Sequence, residues 1–206
     1  MGCDIHSYLE FFDKDLADGV ARCYATHLDF GRCYTTFNLM AGVRGYRLPL
    51  IKPRGIPSTP KISFTVSENY HITVVDSYTN CHFTNGRYIS REDALTWVDE
   101  GRTTFEDNGK YIIDPSWHTP SWLTKDELIE VRRHYLIETL SYESTEYKGQ
   151  KRRDAMEKLE QSSSVELMRF VFPSIEYVML NATIASMIAI ENSGEYKTRL
   201  VFWFDS

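Results

Sequence analysis

The chain has 206 residues, of which 42% are hydrophobic and 25% charged. At about 150 residues per domain this is one compact domain with a real core, which excludes general disorder and any need for disulfide or metal staples. The 23 basic and 29 acidic residues give a net charge of −6, against a long nucleic-acid partner, because phosphate-tracking proteins carry a basic surplus. No apolar run approaches the roughly 18 to 20 residues of a membrane span, and an acid and a histidine stand in the opening MGCDIH where a signal peptide would be greasy. The expected location is therefore the cytoplasm, with no membrane partner. The Met-Gly-Cys start departs from the myristoylation pattern, which wants Ser or Thr where His6 stands. Cys3, Cys23, Cys33 and Cys81 lack any CxxC spacing and read as free thiols.

In chain order, residues 3–11 alternate apolar and polar and predict a strand. Residues 45–60 hold Pro49, Pro53, Pro57 and Pro60 with Gly45 and Gly55, and predict a long, partly stiffened loop with no regular element. Residues 61–66 and 71–77 predict two strands separated by a turn at Ser67, Glu68 and Asn69. Ser90 followed by Glu92 and Asp93 predicts the start of a short helix carrying Ala94, Leu95, Trp97 and Val98. Thr124 and Glu127 form a capping box for a helix that places Leu128, Val131, Tyr135 and Leu136 on one face. A charged helical excursion is expected at about 142–161, with Arg152, Arg153 and Lys158 exposed. Pro173 marks the start of a helix over 174–191 that is apolar nearly all round, and so is expected to be the most buried. Residues 196–204 predict a second strong strand, which should share a sheet with the first. The expectation is an α+β fold, a single mixed domain over 1–206.

Charge is unevenly spread. Residues 30–67 contain no acid but carry Arg32, Arg44, Arg47, Lys52, Arg54 and Lys61, so this stretch is +6 and the remainder −12. A confined basic stretch in an acidic protein suits a small anionic ligand such as a nucleotide. Arg44 and Arg54 bracket the proline-rich loop, and a planar guanidinium grips phosphate through paired hydrogen bonds. Asp4 and His6 are two apart and share a strand face, where a carboxylate can fix the tautomer of an imidazole for acid–base work. Trp117, His118, Ser121 and Trp122 are expected in a loop that immediately precedes the capping box, offering proton transfer, hydrogen bonding and stacking beside a helix N-terminus. The same residues also suit a plainer role, with both tryptophans as core anchors. His71-Ile72-Thr73 and His82-Phe83-Thr84 match the His-x-Thr form of two-histidine phosphodiesterases, at a short separation for that fold. No phosphate-binding Gly-rich loop, HExxH or GxSxG is present, and no metal or other cofactor is expected.

The opening MGCDIH, Leu39-Met40-Ala41-Gly42-Val43-Arg44, Pro53-Arg54-Gly55-Ile56-Pro57, His118-Thr119-Pro120-Ser121-Trp122-Leu123-Thr124 and the closing Arg199-Leu200-Val201-Phe202-Trp203-Phe204-Asp205 together resemble a family of small phage and prophage proteins that begin MGCDIH. Thr119-Pro120 stands where that family carries a Ser-containing pair, and the 142–161 excursion falls outside the resemblance. The resemblance implies a viral setting, hence the cytoplasm of an infected bacterium, and singles out Asp4, His6, Arg44, Arg54, His118 and Trp122. By analogy, such proteins counter nucleotide-based bacterial immunity by cleaving or sequestering the signal.

The leading expectation is a metal-independent phosphodiesterase acting on a cyclic dinucleotide. His6 and His118 would be its acid–base pair, and Asp4 would orient His6. Arg44 and Arg54 would hold phosphate, Trp122 would stack a base, and Trp117 and Ser121 would line the pocket. The alternative is a sponge that binds the same ligand without turnover, and a third reading is a protein-interaction module. A homo-oligomer is left open.

Overall fold

A computed structural model describes residues 2–15, 18–24, 28–45, 48–76, 87–143, 150–163 and 174–205. Arg47, Cys81, the His82-Phe83-Thr84 motif and Pro173 lie outside the described residues, as does the side chain of Arg152.

The fold is α+β, built on two sheets. The first has the order β2 (Arg22–Cys23), β1 (Ile5–Asp13), β8 (Tyr196–Asp205), β7 (Trp117–Leu123), with all neighbours antiparallel. The two terminal strands are neighbours, as their patterns predict, in a register running from Ile5 opposite Phe204 to Asp13 opposite Tyr196. The second sheet has the order β4 (Tyr88–Ser90), β3 (His71–Val75), β6 (Tyr111–Ile113), β5 (Phe105–Glu106), with β3 and β4 parallel.

Because strand side chains alternate between faces, the β1–β8 register sorts every residue of the first sheet. Ile5, Leu9, Leu200, Phe202 and Phe204 face one side, and meet α1 (Tyr34–Ala41), α4 (Lys125–Glu143) and α6 (Ile175–Glu191) in the larger core. Tyr8, Val201 and Trp203 face the other side and pack with Val66 and Tyr70 of α2 (Phe64–Tyr70). β8 is thus covered on both faces, which is why it reads as a continuous apolar run rather than an alternating one. Leu128, Val131, Tyr135 and Leu136 are all buried, as the capping-box helix predicts.

Three expectations are corrected. Residues 64–66, expected to end a strand, and the expected turn at Ser67, Glu68 and Asn69 are helical: Ser63 Oγ accepts the Val66 N–H and starts α2, so the apolar alternation of Ile62, Phe64 and Val66 does not form a strand. Trp117–Leu123 is a strand, not a loop. The last helix, α6, is not sealed all round, since Ile175 and Val178 on its outer side are exposed. α3 (Arg91–Asp99) starts at Ser90 as expected, and α5 (Gln150–Gln161) falls in the charged excursion, with Arg153 and Lys158 exposed. Residues 48–60 carry no helix or strand and run as a strap along β7, with the Gly55 N–H donating to the Pro120 carbonyl at 3.1 Å. No described helix is long and apolar enough to cross a membrane.

Candidate functional site

The predicted site residues divide between two places. At one end of the first sheet, β1 and β8 bring His6 against Asp205: Nε2 lies 3.1 Å from Oδ2, and both side chains are about one-third exposed. The ring stacks on Trp203 at 5.8 Å and leans on Trp117 at 5.4 Å. The other Asp205 oxygen accepts the Asp4 backbone N–H at 3.0 Å. Asp205 therefore takes the place at His6 that the sequence reading gave to Asp4. Asp4 instead binds Arg32 through both oxygens, at 2.6 and 2.9 Å, and that guanidinium holds its carboxyl below the usual carboxylate range. Arg44 belongs to the same end: it adopts a left-handed backbone (φ 58) and Nη2 donates to the Gly2 carbonyl at 3.2 Å. Its guanidinium also faces the Cys3 thiol, whose pKa burial pushes up and Arg44 pulls back in part.

His118 does not join His6. His6 pairs across β8 with Trp203, whereas His118 pairs with Phe204, the next residue and so the opposite face. The His118 ring stacks on Phe204 at 6.0 Å and its Nδ1 contacts Thr119 Oγ1 at 2.9 Å. The expected convergence of two imidazoles on one phosphate is thereby corrected: the sheet stands between them. Trp117 lies on the His6 side as a core anchor, 5.1 Å from Trp203, with the Arg87 guanidinium 4.6 Å from its ring.

Arg54, Ser121 and Trp122 come together elsewhere, as a fastening for the strap. The Arg54 N–H donates to buried Ser121 Oγ, and its Nη2 donates to the Trp122 carbonyl and to Glu127 Oε2, each at 2.6 Å. The guanidinium lies 3.6 Å from the Trp122 ring. Glu127 completes the capping box by accepting the Thr124 N–H at 2.8 Å. Burial would raise its carboxyl, but Arg54 and Thr124 outweigh that and hold its pKa low. The Arg54 Nε and Nη2 donors that would grip a phosphate are committed to protein acceptors.

Beyond this fastening opens a groove of about 550 Å³. It exists because β7 stops at Leu123, opposite Leu200, so the first residues of β8 pair with β1 alone. Lys14, Lys125 and Lys197 line it, together with Phe12, Trp122 and Tyr196 and with the carboxylate of Asp126, 3.8 Å from Lys125 Nζ. Glu191 closes the open strand edge, one oxygen accepting the Thr198 N–H at 3.1 Å and the other holding Lys125 at 2.6 Å. Lys14 Nζ donates to the Gly194 carbonyl. Ligand sites are typically hollows of about 300–1,000 Å³ with apolar walls and a few converging polar groups, and this groove fits that description.

Of the site, the sequence reading found Trp122 but missed the three lysines, because all of them lie outside the basic 30–67 stretch. Lys14 and Lys197 were recoverable in principle, since the β1–β8 pairing sets Lys197 opposite Phe12 at the strand end. Among the described residues, no group of three or more His, Cys, Asp or Glu is placed to hold a metal. Comparison with protein-family models, with curated proteins and with solved structures found no match to this chain.

Proposed function

We propose that this protein binds a small anionic nucleotide, of the cyclic dinucleotide class, in the groove beside α4 and sequesters it without cleavage. The observation that supports this reading is the meeting of Lys14 and Lys197, neither paired with a carboxylate among the described residues, and of Lys125, paired with Glu191 and Asp126, with the rings of Phe12, Trp122 and Tyr196 in one hollow of nucleotide size. Ammonium groups neutralise phosphate while rings offer faces to a base, and no reacting group is needed. The resemblance to phage proteins supplies the setting, removal of a bacterial immune signal.

Cleavage is the second reading, and a specific contact favours it: the His6–Asp205 pair is a carboxylate-oriented imidazole at a partly exposed sheet end, beside Arg32 and Arg44. It would act with one histidine rather than two.

Incubation with cyclic dinucleotides, heat denaturation and chromatography of the released ligand separate the two. Intact ligand is the expected outcome, and binding should weaken at least tenfold when Lys14 and Lys197 are both changed to Ala, with a marked salt dependence. Linear product that disappears in His6→Ala would establish cleavage and remove the sponge. A thermal-shift screen in which no nucleotide raises the melting temperature would remove both and leave the protein-interaction reading.

A further inference from the structure

The strap has a second hollow on its other side. Its Thr59 and Pro60 line the groove, whereas its Gly55, Ile56 and Pro57 line a separate crevice of about 520 Å³ against the second sheet. Ile62, Ile113, Pro120 and the ring of Tyr70 complete its largely apolar walls. Among the described residues four polar side chains line it: Lys61, His71, Glu106 and the phenol of Tyr70.

The protonation pattern of His71 follows from geometry. Its Nδ1 lies 3.1 Å from the Ser67 carbonyl, which only accepts, and 3.2 Å from Ser67 Oγ, which can also accept, so the hydrogen is assigned to Nδ1. In the neutral ring Nε2 is then an acceptor, with no hydrogen-bond partner among the described residues. Burial lowers the His71 pKa, which keeps the ring neutral at pH 7. Glu106 adds a carboxylate and Lys61 an ammonium, neither of them in an ion pair among the described residues.

An apolar crevice carrying a carboxylate, an acceptor imidazole nitrogen, an ammonium donor and a phenol that can do either is complementary to a flat heterocycle with adjacent N–H donors beside a carbonyl. Guanine is the common base with that edge: N1–H and the N2 amino group donate, as a carboxylate requires, and O6 accepts from an ammonium. Adenine and cytosine each offer an amino group but place an acceptor where the second donor is needed, and uracil has a single N–H between two carbonyls. We infer that the crevice between the strap, α2 and the second sheet is a binding site for a guanine base.

The site does not depend on the groove, because its recognition uses no phosphate. Titration of the full chain with guanosine, adenosine, cytidine and uridine, followed by calorimetry or amide chemical shifts, tests it directly. Saturable guanosine binding at least tenfold tighter than the other three is expected. Glu106→Gln, at an exposed position, should weaken it about tenfold or more, as should His71→Phe. Lys14→Ala with Lys197→Ala should leave it unchanged, so failure here and failure of the groove reading are told apart. Absence of guanosine binding, preference for another nucleoside, or binding indifferent to both Glu106→Gln and a crevice-filling Ile56→Trp would each overturn the inference.

Discussion

Arg199 and Glu10 form an ion pair with almost no solvent contact, 2% and 0% exposed, which joins the two central strands to the end of the strap. Each partner is further satisfied: Glu10 accepts the Ser63 N–H at 2.5 Å, and Arg199 Nη2 donates to the Pro60 carbonyl at 2.8 Å. Removing one member leaves the other charge buried and unpaired, which costs about 3–5 kcal/mol. Arg199→Ala should therefore lower the urea midpoint of unfolding by far more than any exposed arginine variant; a loss below about 1 kcal/mol would show that the pair is not sealed from water. At this scale the sequence was legible only in part. Asp4-x-His6 announces a carboxylate near an imidazole, but the residue on His6 is Asp205, 199 positions away. No local pattern carries that contact. It follows only once β1 and β8 are paired in register, which the two strand patterns anticipate without fixing the alignment.

Elements were legible where their signals are local. The Thr124–Glu127 box and the Ser90 cap act within one turn, and both helices start there. α1 was missed because its N-cap is the sulfur of Cys33, accepting the Thr36 N–H at 3.5 Å, and cysteine is not a residue that announces a helix. α2 was misread because β-branched and aromatic alternation weighs toward a strand until the Ser63 cap and the packing of Val66 under Trp203 decide otherwise. The strap was recognised as a stiffened loop, but its fastening was assigned to ligand. If Arg54 holds protein rather than phosphate, Arg54→Ala should cost about 2 kcal/mol of stability and speed limited proteolysis within residues 48–60, with nucleotide affinity little changed. A large loss of affinity in a chain of undiminished stability would restore Arg54 to the ligand.

For the molecule as a whole, the displaced titrations bound a window of maximal stability. Glu127 and Glu191 have carboxyls held below 4.5, and His71 lies below its ordinary 6.5. Each binds its proton more readily in the unfolded chain, so its contribution is complete above the ordinary value and is lost as pH falls through the lower folded one. Burial raises the Tyr8 and Tyr70 hydroxyls to about 12 and lifts the Cys3 and Cys33 thiols above 9.0. Their contributions are complete below the ordinary values and are lost as pH rises. Urea midpoints should thus be flat between about 6.5 and 9 and fall on both sides. His71→Phe should remove the first step of the acid-side decline, just below 6.5, and leave the deeper fall below 4.5. A profile identical to that of the parent would mean His71 is not desolvated.

The central position of β8 also dictates when this protein can exist during its own synthesis. β1 and β7 hydrogen-bond to β8 and not to each other, so during translation their edges toward β8 wait unpaired while the helices lack the β8 side chains they pack against. The keystone strand emerges only long after β1, and closure then joins residues as far as 199 positions apart, the slow kind of folding step. Nascent chains stalled before Tyr196 clears the exit tunnel should be protease-sensitive throughout β1 and should rely on holding chaperones, and protection should appear in a single step once β8 is free.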